Sequence, residues 1–450
     1  MKQFINIFFV ITFLLTNMLS VQAESIDDVI RKSKIKKANV SISVKNVHTN
    51  DVVYELNSHQ PMLPASTLKL ITLPASIDTL GDDYEFVTKL YKSNDELFLK
   101  LNADPFLRTK DLGNLLKSAK KDDLLLPKAI HIDASILDDN EWGEGWQWDD
   151  DLNVLMPKFS VYNLDGNLLE VFIDPTYKGS PAVITTSKNY PTVFMNFVTT
   201  GDYNLVNFSR NNSVASNIIT AEGVVSKRMA KQVPVNDPKK YFIVNLNSEL
   251  AEKNINCYED YIFEDISGVG LVLLAEVSNP ISKAIVEVFE NSNNLVSETV
   301  FKLAGAKFAD TVGTQKNSVE MVNNYLIKEG FDASDIKIVD GSGVSKNNIM
   351  TADFMSEFLL KQAKKSDFEK FNNQLPTAGA GTLKNRMLYF KNNIRAKTGT
   401  LSDSSAIAGY LTTQNGEFYA FDIMINYPIA NMNDVKSLEE YILRAVYTNY

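Results

Sequence analysis

The chain is short of the residues that most often carry metal and redox chemistry. Among 450 residues there is one cysteine, Cys257, and there are three histidines, His48, His59 and His131. A single thiol can form no intramolecular disulfide, even in an oxidising compartment, and it reads as a small buried hydrophobe. Three scattered histidines give poor support to a histidine-rich metal site, so no metal and no cofactor is expected. Their number leaves a Ser-His-Asp triad possible, but no Gly-x-Ser-x-Gly elbow frames any serine. Positive charge is also in deficit. With 45 Lys and Arg against 55 Asp and Glu, the net charge of −10 argues against nucleic acid as the main partner.

What is present begins with an export signal. Lys2, an apolar run from Phe4 to about Leu19 and the small-residue exit Val21-Gln22-Ala23 have the layout of a secretory signal peptide, residues 1–23. Cleavage is expected after Ala23, with an uncleaved anchor as the alternative. No cysteine near the exit offers a lipid attachment point. The remaining length is too great for one typical core, so two or three domains are expected.

"RKSKIKK" reads as a solvated helix face, and "NVSISVKNVHTNDVVYELNS" alternates around Thr49-Asn50-Asp51 as a β-hairpin does. "STLKLITLPASIDTLG" predicts a helix from near Ser66 to Gly81. From Tyr84 to Val269 short strand-like runs are separated by polar turns, and "EWGEGWQWDDDLN" holds all three tryptophans. This reads as an inserted β-rich module, of one unit or two. Helical spacing then returns, with stripes Ile281-Ile285-Val288-Phe289 and Val296-Val300-Leu303 interrupted at "NSNN". Asn415-Gly416 marks a final hairpin, and "DVKSLEEYILRAVYTNY" closes the chain as an amphipathic helix.

Three short patterns carry chemistry. Ser-x-x-Lys starts at Ser33, Ser66, Ser118 and Ser334, and context separates the four. Ser33 and Ser118 lie in basic, exposed stretches. Ser334 precedes a strand-like run, where positions three apart face opposite ways. Only Ser66 opens an apolar helix, where Ser66 and Lys69 share a face and a desolvated lysine can accept a hydroxyl proton. Backbone N–H groups at a helix start also favour a developing oxyanion.

Ser-x-Asn starts at Ser187, Ser209, Ser292 and Ser345. The one between two apolar helices, Ser292-Asn293-Asn294, sits where a short loop can press into a cleft, and Ser209-Arg210-Asn211 is the main decoy. Lys-Thr-Gly occurs once, as Lys397-Thr398-Gly399. It reads as a strand whose Lys and Thr can hold a carboxylate, whose edge can pair with an extended peptide, and whose Gly lets another backbone approach.

In this order the three patterns are the signature of the penicillin-recognising serine acyltransferases, which the chain resembles. "PASTLKL", "ADPF", "GEGWQWDDDLN", "NLDGN", "NSNNL", "DGSGVS", "LPTAGAGTLKNRM" and "AKTGTL" follow the order seen in class C low-molecular-weight penicillin-binding proteins. These are D-alanyl-D-alanine carboxypeptidase/endopeptidases of the penicillin-binding protein 4 type. The resemblance runs over most of the mature chain. The 226 residues from Ser66 to Ser292 (292 − 66) are far more than a compact β-lactamase has there.

The resemblance implies an α+β fold. A β-lactamase/transpeptidase-like domain, an antiparallel sheet flanked by helices, would comprise residues 24–83 and 270–450, interrupted by the β-rich module 84–269. It also implies two-step acyl transfer on peptidoglycan stem peptides, with β-lactams as covalent inhibitors. Ser66 would be the nucleophile, Lys69 its base, Ser292 a proton relay and Asn294 an orienting group. Lys397 and Thr398 would hold the terminal carboxylate, with Gly399 beside them, and N–H groups of Ser66 and Thr400 would form the oxyanion hole. Asp150 is expected to meet the ammonium end of a diaminopimelate side chain, and Lys346 a substrate carboxylate.

Three departures touch the pocket: "AGAGTLKNRM" is one residue short, Asn293 stands where Asp is common, and Lys346 stands where Arg is usual. The expected location is periplasmic, with membrane association and oligomeric state left open. A serine β-lactamase and a catalytically idle wall-binding protein are the alternatives.

Overall fold

The computed structural model describes residues 24–121, 124–188, 190–210, 217–267 and 270–450; the expected signal peptide lies outside the described residues. Helix α1 (Ile26–Ser33) precedes strands β1 (Val40–Asn46) and β2 (Val52–Leu56), which pair antiparallel where the alternation predicts a hairpin. A short 3-10 turn, Ala65–Leu68, runs directly into helix α2 (Lys69–Leu80). The chain then leaves through β3 (Glu85–Ser93), β4 (Glu96–Lys100), α3 (Thr109–Lys121) and β5 (Ile130–Asp133).

Strands β6 (Leu168–Asp174), β7 (Val183–Thr186), β8 (Val193–Thr200), β9 (Leu205–Arg210), β10 (Ile218–Val225) and β11 (Met229–Pro234) follow. Helix α4 (Pro238–Glu252) and β12 (Ile262–Phe263) lead to β13 (Val272–Pro280). Helices α5 (Ile281–Phe289), α6 (Asn294–Ala309), α7 (Gln315–Lys328), α8 (Ala352–Gln362) and α9 (Phe368–Gln374) come next. The hairpin strands β14 (Ile394–Leu401), β15 (Ser404–Thr412) and β16 (Phe418–Asn426) and helix α10 (Met432–Asn449) end the chain.

The two ends of the chain build one five-stranded antiparallel sheet in the order β14-β15-β16-β1-β2. One face packs Ile42, Val44, Ile407, Phe421 and Ile423 against Ile30 of α1 and Leu438 and Ile442 of α10. Each such side chain contributes about 1.5–3 kcal/mol by leaving water. The opposite face lies under α8. Every residue of β1 is buried, so its polar positions are not solvent positions. Ser43 Oγ meets Ser356 Oγ at 2.8 Å, and Lys45 reaches Asp353 at 2.9 Å and Glu357 at 3.1 Å. The alternation marks a sheet whose second face is covered by a helix with matching polar groups.

The module between the two halves holds a mixed five-stranded sheet, β12-β5-β4-β3-β13, and two three-stranded sheets, β8-β10-β9 and β11-β6-β7, together with α3 and α4. Its far boundary differs from the sequence expectation. Residues 272–280 do not join the C-terminal part: β13 pairs along β3, and Pro280 stands opposite Glu85. The chain therefore departs and returns at one cross-strand pair. A second correction concerns Cys257, which is half-buried rather than buried, with Sγ 3.6 Å from the Lys128 carbonyl. No helix among the described residues is long and apolar enough to cross a membrane.

Candidate active site

Ser66 sits in the 3-10 turn rather than at the first residue of the α-helix, which starts at Lys69. The residue before it, Ala65, has φ +48°, a left-handed conformation that an alanine adopts only when its surroundings enforce it. Two glycines press on this turn. Gly343 has φ +79°, and a Cβ there would collide with the Ala65 carbonyl; one on Gly399 would lie 2.8 Å from the Ser66 nitrogen. "DGSG" and "KTG" thus supply the close approach that fixes the serine.

Lys69 follows one turn later, and its ammonium is wholly buried. Its Nζ lies 2.9 Å from Ser66 Oγ, 2.7 Å from Asn294 Oδ1 and 2.5 Å from the Ser342 carbonyl oxygen. Among the described residues no carboxylate pairs with it. Burial pushes Lys69 down to about 7, opposed by the negative charges of Asp340 and Glu298. Two of its three neighbours are carbonyl oxygens, which can only accept. A neutral amine gives its two hydrogens to these and turns its lone pair to the third, the serine hydroxyl.

Ser292 and Lys397 form the facing pair. Ser292 has φ +55° in the loop between α5 and α6, and its Oγ accepts from Lys397 Nζ at 2.8 Å. Lys397 also donates to the Thr398 carbonyl at 2.9 Å. Burial, and then the charge of Lys69, hold Lys397 well below its ordinary range. Asn293 caps α6 by accepting the Val296 N–H, which leaves Asn294 free to turn inward. Its Nδ2 donates to the Leu155 carbonyl of the inserted module at 2.8 Å.

Strand β14 is a sheet edge. Ala396 gives its N–H to Pro376 on the side away from β15, so by the two-residue repeat of a strand the N–H groups of Thr398 and Thr400 face the same open side. These elements enclose a cleft of about 690 Å³ lined by Ser66, Ser292, Asn294, Thr398 and Thr400, and by Asp149, Asp150, Leu155 and Lys346 on the rim.

All ten residues singled out from the sequence gather here. Asp150 lies in a short 3-10 turn, its carboxyl raised by partial burial and then by the charge of Asp149. Lys346 is not a free cation: it pairs with Asp403 at 2.7 Å. Three of the decoys do not converge. Ser209 is on β9, Ser33 ends α1 and Ser118 is on α3.

Four contributors were not singled out: the Ser342 carbonyl, Asp340, Glu298 and Trp146. Asp340 accepts N–H groups of Gly343 (2.8 Å) and Ser345 (2.7 Å), and the indole N–H of Trp146 at 2.9 Å. Glu298 could have been found, since it lies four residues after Asn294 on one apolar helix.

The chain as a whole is similar to known proteins. The chain is similar to the D-alanyl-D-alanine carboxypeptidase DacB of Haemophilus influenzae, 23% identical over 409 residues that span 86% of this chain and 85% of that protein. It is similar also to a D-alanyl-D-alanine carboxypeptidase of an Actinomadura strain, 25% identical over 438 residues, 90% of this chain and 80% of that one. The crystal structure of penicillin binding protein 4 from H. influenzae superposes with a TM-score of 0.83 at 23% identity, covering 94% of this chain and 99% of its own. A second structure of that protein, TM-score 0.77 and 21% identity over the same shares, is of a complex with a β-lactam. The pattern of the D-Ala-D-Ala carboxypeptidase 3 (S13) family matches residues 22–444, and this chain belongs to that family.

Proposed function

We propose that this chain is a serine D-alanyl-D-alanine carboxypeptidase/endopeptidase that acts on peptidoglycan stem peptides and cross-links through an acyl-enzyme on Ser66. The observation that carries the reading is the buried Lys69, with Ser66 Oγ at 2.9 Å and two acceptor-only oxygens taking its other hydrogens. Ser66 Oγ attacks the carbonyl carbon of the penultimate D-Ala as its proton passes to Lys69 Nζ. The oxyanion lies against the N–H groups of Ser66 and Thr400, fixed before the charge develops. The C–N bond then breaks. Ser292 Oγ gives its proton to the departing amine and is resupplied through Lys397, 2.8 Å away, with the proton that Lys69 took from Ser66. Water adds to the ester, and its cleavage restores Ser66.

Lys397 and Thr398, at the open edge of β14, would receive the terminal carboxylate, while the stem peptide extends along that edge. Asp150 on the rim suits the ammonium of a diaminopimelate side chain, with Asp149 adding to the local negative charge. Lys346, already paired with Asp403, acts on a substrate carboxylate only by sharing its hydrogens. β-Lactams are covalent partners in this scheme because they present a strained amide to Ser66. Residues 1–23 support export to the periplasm.

Fluorescent penicillin with intact-mass analysis tests the reading. A stable adduct on Ser66 is expected. Rapid release would mark a β-lactamase and no adduct an idle binder. Digestion of purified sacculi, read by mass spectrometry, separates loss of terminal D-Ala from cleavage of cross-links.

A further inference from the structure

A buried carboxylate that none of these steps uses lies behind the base. Glu298, on the same helix as Asn294, is 2% exposed. Its oxygens accept the N–H groups of Ser342 at 2.8 Å and Gly341 at 3.1 Å. From the other side, the Gly341 carbonyl accepts the hydroxyls of Thr72 at 2.7 Å and Ser297 at 2.8 Å. The strip Gly341–Ser342 is therefore clamped between α2 and α6, and the carbonyl that emerges from the clamp is the one 2.5 Å from Lys69 Nζ. Two charged groups face Glu298: Lys69 from α2 and Asp340 from the strip itself, while Lys397 reaches the cluster only through Lys69. Burial, and then the Asp340 charge, push Glu298 up to about 8.

We propose that Glu298 is a positioning residue for acyl transfer. It holds the Gly341–Ser342 strip so that the Ser342 carbonyl fixes Lys69 against Ser66. The inference rests on Ser66 and Lys69 having the roles given above. The Ser342 carbonyl, held 2.5 Å from Nζ, favours the protonated form of Lys69, so releasing it lowers the pH at which the lysine becomes neutral.

The experiment measures the rate of acylation by fluorescent penicillin across pH 5–9 on the full chain, with Ser66→Ala as the blank. A wild-type protein that takes no label would refute the acyl-enzyme reading itself rather than this inference. In Glu298→Gln, which keeps the size but puts an amide N–H against a backbone donor, two changes are expected together. The plateau rate falls about tenfold or more, and the acid limb moves to lower pH by about half a unit. An unchanged profile overturns the proposal. So does a lower plateau with the limb fixed, which is what packing damage alone would give. If Glu298→Gln does not fold, Thr72→Val combined with Ser297→Ala frees the same strip from its carbonyl side. Slower acylation with the limb moved to lower pH is then expected, and an unaltered rate overturns the proposal.

Discussion

Three lysines border the cleft, and their surroundings divide it into a floor and a rim. On the floor, Lys69 and Lys397 are completely buried, and no carboxylate pairs with either among the described residues. On the rim, Lys346 and its partner Asp403 are each 29% exposed and form an ordinary ion pair. A pair of the second kind is worth about 0–1 kcal/mol. An ammonium of the first kind costs several times more to desolvate, and the protein meets that cost with hydrogen bonds to neutral acceptors. The floor accepts lower stability in exchange for a lysine that can take up a proton near neutrality. The rim keeps its charges solvated, where they can recognise a substrate without disturbing the fold.

The contrast predicts effects that shrink from floor to rim. Ser66→Ala should remove the mass of a bound β-lactam entirely and lower peptide turnover by on the order of 10⁴-fold or more. A surviving adduct would place the nucleophile elsewhere. Lys69→Ala should slow acylation about 10²–10⁴-fold while circular dichroism keeps the fold. In the intact enzyme, acylation should rise with pH through about 7, where Lys69 loses its proton, and at pH 6 run about tenfold below its plateau. A profile flat from pH 5 to 9 would mean that the base is not this lysine.

On the rim, Asp150→Ala should raise KM for diaminopimelate-containing peptides several-fold and leave β-lactam acylation nearly intact. Equal kinetics on those peptides would remove Asp150 from recognition. The smallest effect is expected from Trp146→Phe, which deletes one donor to Asp340 and should lower stability by about 1 kcal/mol in thermal denaturation.

What could be read from the sequence follows from which groups are encoded locally. Ser66 and Lys69 are separated by one helical turn, and Lys397 to Thr400 lie on one strand, so three letters suffice to mark each. The acceptors around Lys69 are different. The Ser342 carbonyl at Lys69 and the Leu155 carbonyl that holds Asn294 beside it are backbone groups, and no residue name announces a carbonyl. Trp146 was visible as one of three tryptophans in an acidic segment, but its partner Asp340 lies 194 residues away. In the fold, both hairpins were legible from alternation and turn residues. The depth of β1 was not, because the polar face of a covered strand alternates just as a solvated one does. The pairing of β13 with β3 was missed for a related reason: "VLLAEVSNP" is a plausible strand wherever a sheet edge awaits it, and only the tertiary fold says which.

The single cross-strand pair of Glu85 and Pro280 makes the module look like a detachable pendant, joined to the rest by two adjacent threads of chain. The interior says otherwise. One unbroken apolar mass runs from Leu70 and Ile71 of the catalytic helix through Phe86, Leu99 and Leu115 of the module to Val300 and Phe358. An excised pendant would strip oil from both halves at once and leave Asn294 without its outer anchor. The module serves the hydrolase as a buttress serves a wall, attached along a narrow seam yet bearing on its whole height.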